Sequence, residues 1–228
     1  TIKTTNKRCF TLNVSSIIGD RFDVQFHAGI KLVLEAIKTN PHKSLGEIAE
    51  FSSEGWDQKS HFVDSFPYIE ISSIDTQTGK IRYIDTVPLK EAPSRAKKIV
   101  RKNDILVSTT RPNRGAISIY DGNDVAIAST GFSIIREIAP YILREYLYIV
   151  LRMPLSLEQM SLRSSGGNYP AIIESELKKV IVPIPPLDIQ KNIIEMVSTM
   201  NNKAEQLKKE SDALLEEAKQ KAEKMIIG

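Results

Sequence analysis

Apolar and polar positions follow different periods in different parts of this chain, and the changes of period mark its elements. From Ile193 onward, apolar residues recur in alternating steps of four and three: Ile193, Val197, Met200, Ala204, Leu207, Leu214, Ala218 and Met225, with Ser211 and Lys221 as the polar members. This is a heptad seam, narrower than the apolar stripe of a helix packed on a globular core. Glu205 with Lys209 and Glu217 with Lys221 are acid-before-base pairs four residues apart, which support a helix. Pro185-Pro186 gives a sharp start and no Gly or Pro follows until Gly228. One helix from Leu187 to Ile226 is expected, about 60 Å long at 1.5 Å per residue. Such a helix is marginal alone in water, so the seam requires a second helix, or else it folds back on its own domain. Its first turns, with Ile189, Ile193, Ile194 and Val197, are apolar widely enough to root in that domain.

The preceding residues read as short elements. Phe10 to Ile18 fits a strand, and Ala28 to Lys38 has helical spacing that stops at Asn40-Pro41. Ser44-Leu-Gly-Glu47 has the form of a capping box and opens a short helix. Phe51 to Phe66 is polar and reads as a loop. Strands are expected over Tyr68 to Ser72 and Ile81 to Ile84, and a helical turn over Pro93 to Lys98. Asp104 to Thr109, Ala116 to Tyr120, Val125 to Ala128 and Phe132 to Arg136 are four further strands between turn residues. Tyr141 to Leu151 and Leu155 to Leu162 are helical by period. A Gly-rich loop follows from Arg163 to Pro170, then a turn opened by Ser175 and a last strand from Val180 to Ile184. The expected architecture is an α+β domain over residues 1–186 with a curled, mostly antiparallel sheet, then a coiled-coil helix over residues 187–228.

Composition narrows the function classes. The single Cys9 excludes an internal disulfide, and His27, His42 and His61 lack metal-ligand spacing, so no metal or cofactor is expected. No run approaches the ~18 apolar residues of a membrane span and no signal peptide is visible, so a cytoplasmic location is the default. The first residue is Thr rather than Met, as in a trimmed or partial chain. The net charge of +3 divides unevenly: the head holds 24 basic against 20 acidic residues, the helix seven Lys against eight acids. That balance permits a nucleic-acid partner without requiring one.

Catalytic signatures are missing. There is no G-x-G-x-x-G, no Walker-type loop and no Asn/Asp-Pro-Pro-aromatic tetrapeptide; Gly166-Gly-Asn-Tyr-Pro170 has the wrong order. Glu217-Ala-Lys219 has a nuclease-like spacing but lies on the charged face of the heptad helix. A non-catalytic protein is therefore expected. Three basic stretches are candidates for binding. Arg95, Lys97, Lys98, Arg101 and Lys102 would suit phosphate oxygens, although a solvated turn explains them as well. Thr110-Arg-Pro-Asn-Arg-Gly115 presents Arg111, Asn113 and Arg114 from a stiff turn. Arg bonds guanine O6/N7 and Asn bonds adenine N6/N7 in the major groove, while an ordinary Pro-Asn turn is the competing account. Arg163 to Pro170 offers Arg163, Asn168 and Tyr169 on a chain thin enough to approach a groove edge, or serves as a simple connection.

Several motifs occur in a fixed order: Leu45-Gly-Glu-Ile, Tyr68-Ile-Glu-Ile, Asn103-Asp-Ile-Leu-Val-Ser-Thr-Thr-Arg-Pro112, Ala128-Ser-Thr-Gly-Phe132, the Arg163 to Pro170 loop and Ile184-Pro-Pro-Leu-Asp-Ile-Gln190. In this series the chain resembles the specificity subunit of type I restriction–modification systems. The resemblance implies a target-recognition domain that grips double-stranded DNA and a long conserved helix. It also implies modification (methyltransferase) subunits as direct partners and a restriction subunit reached through them. A full subunit of that family holds two domain-plus-helix units, whereas this chain resembles half of one. Two copies pairing their helices antiparallel would place half-sites roughly one and a half turns apart, at ~34 Å per turn of DNA. A recognition region cut from a fused enzyme and a coiled-coil adaptor that binds no DNA are the alternatives.

Overall fold

The structure is a computed structural model that describes residues 24–37, 41–60 and 64–227. The strand expected at Phe10 to Ile18 lies outside the described residues. The chain divides into two compact units at the Pro185–Pro186 junction.

Helix α1 (Val24–Ile37) is followed by strand β1 (His42–Ser44), the short helix α2 (Leu45–Ile48) and strand β2 (Ala49–Phe51). The capping box at Ser44 forms as its sequence predicts: the Ser44 N–H and Oγ–H donate to the Glu47 carboxylate at 2.8 and 2.6 Å. Strands β3 (Ser65–Ile69), β4 (Asp85–Pro88), β5 (Ala96–Val100), β6 (Ile105–Ser108), β7 (Ile117–Ile119), β8 (Ala126–Ser129) and β9 (Phe132–Ile138) come next. Helices α3 (Arg144–Arg152), α4 (Pro154–Leu162) and α5 (Glu174–Leu177), then strand β10 (Ile181–Pro183), complete the head, and α6 (Leu187–Ile227) forms the tail.

The head is α+β with mostly antiparallel pairing. Its strands form two four-stranded sheets, ordered β2-β9-β6-β7 and β4-β3-β8-β5, and a β1-β10 pair. Within them only the β3-β8 pairing is parallel. The two larger sheets share one core. Ile69, Val100, Ala126 and Ala128 from one pack with Leu106, Phe132 and Ile134 from the other, all buried. Strand alternation turns Tyr68 and Ile127 to the opposite face, where they meet Trp56, Phe66 and Ala96. The polar loop from Phe51 to Phe66 is therefore not wholly at the surface. Trp56 is buried, with its ring centroid 4.6 Å from that of Phe66.

Three local readings are corrected. The strand expected over Tyr68 to Ser72 lies earlier, at Ser65–Ile69, and Ile71–Ser73 form a 3-10 turn. Pro93 to Lys98 is no helical turn: Ala96 to Val100 pair with β8 as an edge strand, with an irregularity between Ala96 and Lys98. A six-residue window carries too little period to separate the two states, and the ladder decides. Ile81 to Ile84 is not a strand either. The antiparallel partner of β3 is Asp85–Pro88, and Tyr83 and Ile84 are left exposed.

The tail is one unbroken helix of 41 residues. Gln190 is buried, Ile193, Ile194 and Val197 are half-buried, and every residue from Ser198 to Ile227 is exposed. The seam members Met200, Ala204, Leu207, Leu214, Ala218 and Met225 are thus uncovered. No helix among the described residues is long and apolar enough to cross a membrane.

Candidate nucleic-acid interface

Two loops more than fifty residues apart are joined into one surface where β6 ends. Buried Ser108 donates its Oγ–H to the Thr110 carbonyl at 2.8 Å, which bends the chain as it leaves the sheet. Thr109 donates both its N–H and its Oγ1–H to the Gly131 carbonyl, at 2.8 and 3.0 Å. Arg111 takes the left-handed conformation (φ 47°, ψ 54°), and Pro112–Arg114 form a 3-10 turn closed by Gly115 at φ 70°. A left-handed non-glycine residue costs about 1–2 kcal/mol, so Arg111 persists there only because its surroundings fix it. A side chain on Gly115 would also reach Leu157 of α4, 3.4 Å from the Cβ position.

The second loop leaves α4 and is pinched at its base, where Ser165 and Ala171 exchange both backbone hydrogen bonds at 2.9 and 2.8 Å. Gly166 at φ +97° makes the reversal; a Cβ there would lie 3.1 Å from the Tyr169 carbonyl. The returning limb lies along the first loop: the Arg111 N–H donates to Pro170 O at 2.7 Å, and the Ile172 N–H to Thr109 O at 2.9 Å. Side chains complete the join. The Arg111 guanidinium lies over the Tyr169 ring, its Cζ 4.2 Å from the centroid, and its Nη2 donates to the Asn168 carbonyl at 3.1 Å. Tyr169 is 71% exposed, and Asn113, Arg114 and Asn168 are exposed beside it. Arg111, Asn113, Arg114, Asn168 and Tyr169, candidates from two separate stretches, therefore belong to one surface.

The other candidates go elsewhere. Arg163 is only 6% exposed, paired with Glu176 at 3.2 Å and set over the Phe26 ring, so it is corrected to an internal ion pair. Arg101 is held by Glu54 through bonds of 2.5 and 3.0 Å and faces that carboxylate rather than a ligand. The same Glu54 binds Arg136 at 2.5 Å, and Arg136 binds buried Asp104 at 2.8 Å. The guanidiniums of Arg101 and Arg136 hold the Glu54 carboxyl down at about 2. Asp104, first, and Glu54 push Arg136 upward against its own burial. The cleft beside this network is lined by Glu50, Glu54 and Glu137 against the single cation Arg136, a net negative set of the wrong sign for phosphate. Lys97 and Lys98 lie on β5, where Lys97 is exposed and Lys98 half-buried.

Arg95, named with the same basic stretch, is placed differently from Arg101. Its carbonyl accepts the Thr130 N–H at 2.8 Å, and the next residue, Gly131, accepts from Thr109. The Thr130-Gly131 turn thus ties exposed Arg95 to the strand end that carries Arg111.

Comparison with known proteins bears on this surface. A family model, the type I restriction modification DNA specificity domain, matches residues 38–217, a span that includes both loops and most of α6. The chain belongs to that family. Among its relatives, the Type I restriction enzyme HindI specificity subunit of Haemophilus influenzae is 28% identical over 166 residues, which cover 71% of this chain and 35% of that protein. The crystal structure of the HsdS subunit from Thermoanaerobacter tengcongensis matches with a TM-score of 0.65 and 29% identity over 74% of this chain and 44% of that one. A chain from work on complex assembly and conformational transition of the type I R-M system matches equally well. This specificity-domain chain spans about a third of the curated relative and under half of the solved subunit.

Proposed function

We propose that this chain is a sequence-specific DNA-recognition unit of a type I restriction–modification system, with no bond-making chemistry of its own. It directs methyltransferase subunits, and through them a restriction subunit, to a bipartite site. The observation that carries this reading is the joined loop surface. Arg111 and Arg114 have no carboxylate partner among the described residues, and Asn113 and Tyr169 stand exposed beside them. Arginines without internal counter-charges, on a turn braced from below, suit phosphates and base edges. The uncovered seam of α6 supports the second half of the proposal, antiparallel pairing with the helix of a second copy, so that two heads read two half-sites.

Two experiments test it. The intact chain is offered random duplexes, and its affinity for the selected motif is followed against salt. The proposal predicts one interrupted motif and a linear fall of log affinity with log salt, by roughly 0.9 per phosphate contact. Weak, salt-independent retention with no selected motif would instead favour a coiled-coil adaptor. Inserting seven residues into α6 should lengthen the gap between selected half-sites; an unchanged gap would remove the spacing role.

A further inference from the structure

We propose that Arg111 reads a guanine within the recognised half-site, and that Tyr169 is the positioning residue that holds its guanidinium in place for the task. The inference rests on the DNA-recognition reading above and assigns a base and a geometry to it. Arg111 is fixed at three points. Its N–H is bonded to Pro170 O at 2.7 Å, its guanidinium Cζ lies over the Tyr169 ring 4.2 Å from the centroid, and Nη2 bonds Asn168 O at 3.1 Å. An unrestrained arginine loses rotamer freedom when it docks, and much of that loss is already taken here.

One bond to the Asn168 carbonyl leaves the other donors of the planar fork open. No carboxylate faces them among the described residues. Two parallel donors in one plane match guanine O6 and N7, the commonest specific contact in the major groove. A bidentate phosphate contact would use the same fork but would weaken binding to every sequence alike when lost, whereas a guanine contact acts at one base pair. The strained conformation is compatible with a side chain whose direction matters more than its charge.

The test uses the intact chain and the motif it selects. Arg111→Met keeps an unbranched stem and removes every donor. It should lower discrimination against an A·T replacement of one particular G·C pair by roughly 5- to 150-fold, with the salt slope unchanged. A 7-deazaguanine at that position, which lacks the N7 acceptor, should weaken the natural protein at least about 5-fold and leave the Arg111→Met protein indifferent. Tyr169→Phe should retain the discrimination and Tyr169→Ala should lose part of it. The modified base leaves the protein untouched, so the result is independent of any effect of substitution on folding. A selected motif in which no guanine responds to the deaza substitution, or equal sensitivity in both proteins, overturns the guanine assignment while DNA recognition stands. Full selectivity in Tyr169→Ala overturns the positioning role. Failure of the natural chain to select any duplex overturns both readings.

Discussion

Arg136 and Arg111 carry the same guanidinium in opposite surroundings. Arg136 is half-buried between Asp104, whose side chain is 2% exposed, and Glu54, and these contacts tie β9 to the segments before β6 and after β2. Arg111 stands on a loop, stacked on an exposed tyrosine and anchored by backbone bonds, with no acid facing it among the described residues. A net charge of +3 counts both alike. What separates a structural cation from one offered to a ligand is its counter-charge, and tertiary contacts decide that.

The contrast is easiest to break at the paired arginine. Arg136→Ala leaves Asp104 buried without its partner and should cost about 3–5 kcal/mol, read as an earlier chemical-denaturation midpoint. A midpoint indistinguishable from the natural chain would make the network incidental. Acid attacks the same cluster from the other side. The Glu54 carboxyl is held at about 2 when folded, against the ordinary 4.5. Its contribution is full above pH 4.5 and is lost as pH falls through about 2. Glu54→Gln should flatten that part of the acid-unfolding profile; an unchanged profile would assign the acid sensitivity elsewhere.

Arg111→Gly should behave in the opposite sense. Glycine accepts the left-handed backbone, so stability should be unchanged or rise by up to about 1 kcal/mol while motif selection is lost. Loss of folding together with loss of binding would place Arg111 among the structural arginines. The smallest effect belongs to Arg101→Ala, because Arg101 is half exposed: a midpoint shift well below that of Arg136→Ala, and smaller still at high salt, measured by the same denaturation.

Much of the fold could be read from local pattern. The heptad helix, the capping box at Ser44 and the strands from Ile105 to Ile138 depend on neighbouring residues, and they lie close to where periodicity places them. Strand β5 and buried Trp56 depend on partners distant in the chain, Ala126 to Ser129 and Phe66, and no local period reports these. The candidate site divides in the same way. Residue type and turn chemistry pointed to Arg111, Asn113 and Tyr169. The same reasoning also selected Arg163 and Arg101, because Glu176 and Glu54 are not sequence neighbours. It grouped Arg95 with Lys97, Lys98 and Arg101, whereas the Thr130 hydrogen bond places Arg95 beside the loops.

The most direct test of this division is site-specific photocrosslinking from position 169 of the intact chain, with a benzophenone amino acid in place of Tyr169 and the selected duplex bound. The joined-loop account predicts a covalent adduct at a base within the recognised half-site, suppressed by excess unlabelled motif. A bound duplex that yields no adduct from this position, while probes placed in the acidic cleft at Glu50 or Glu137 do crosslink, would contradict it.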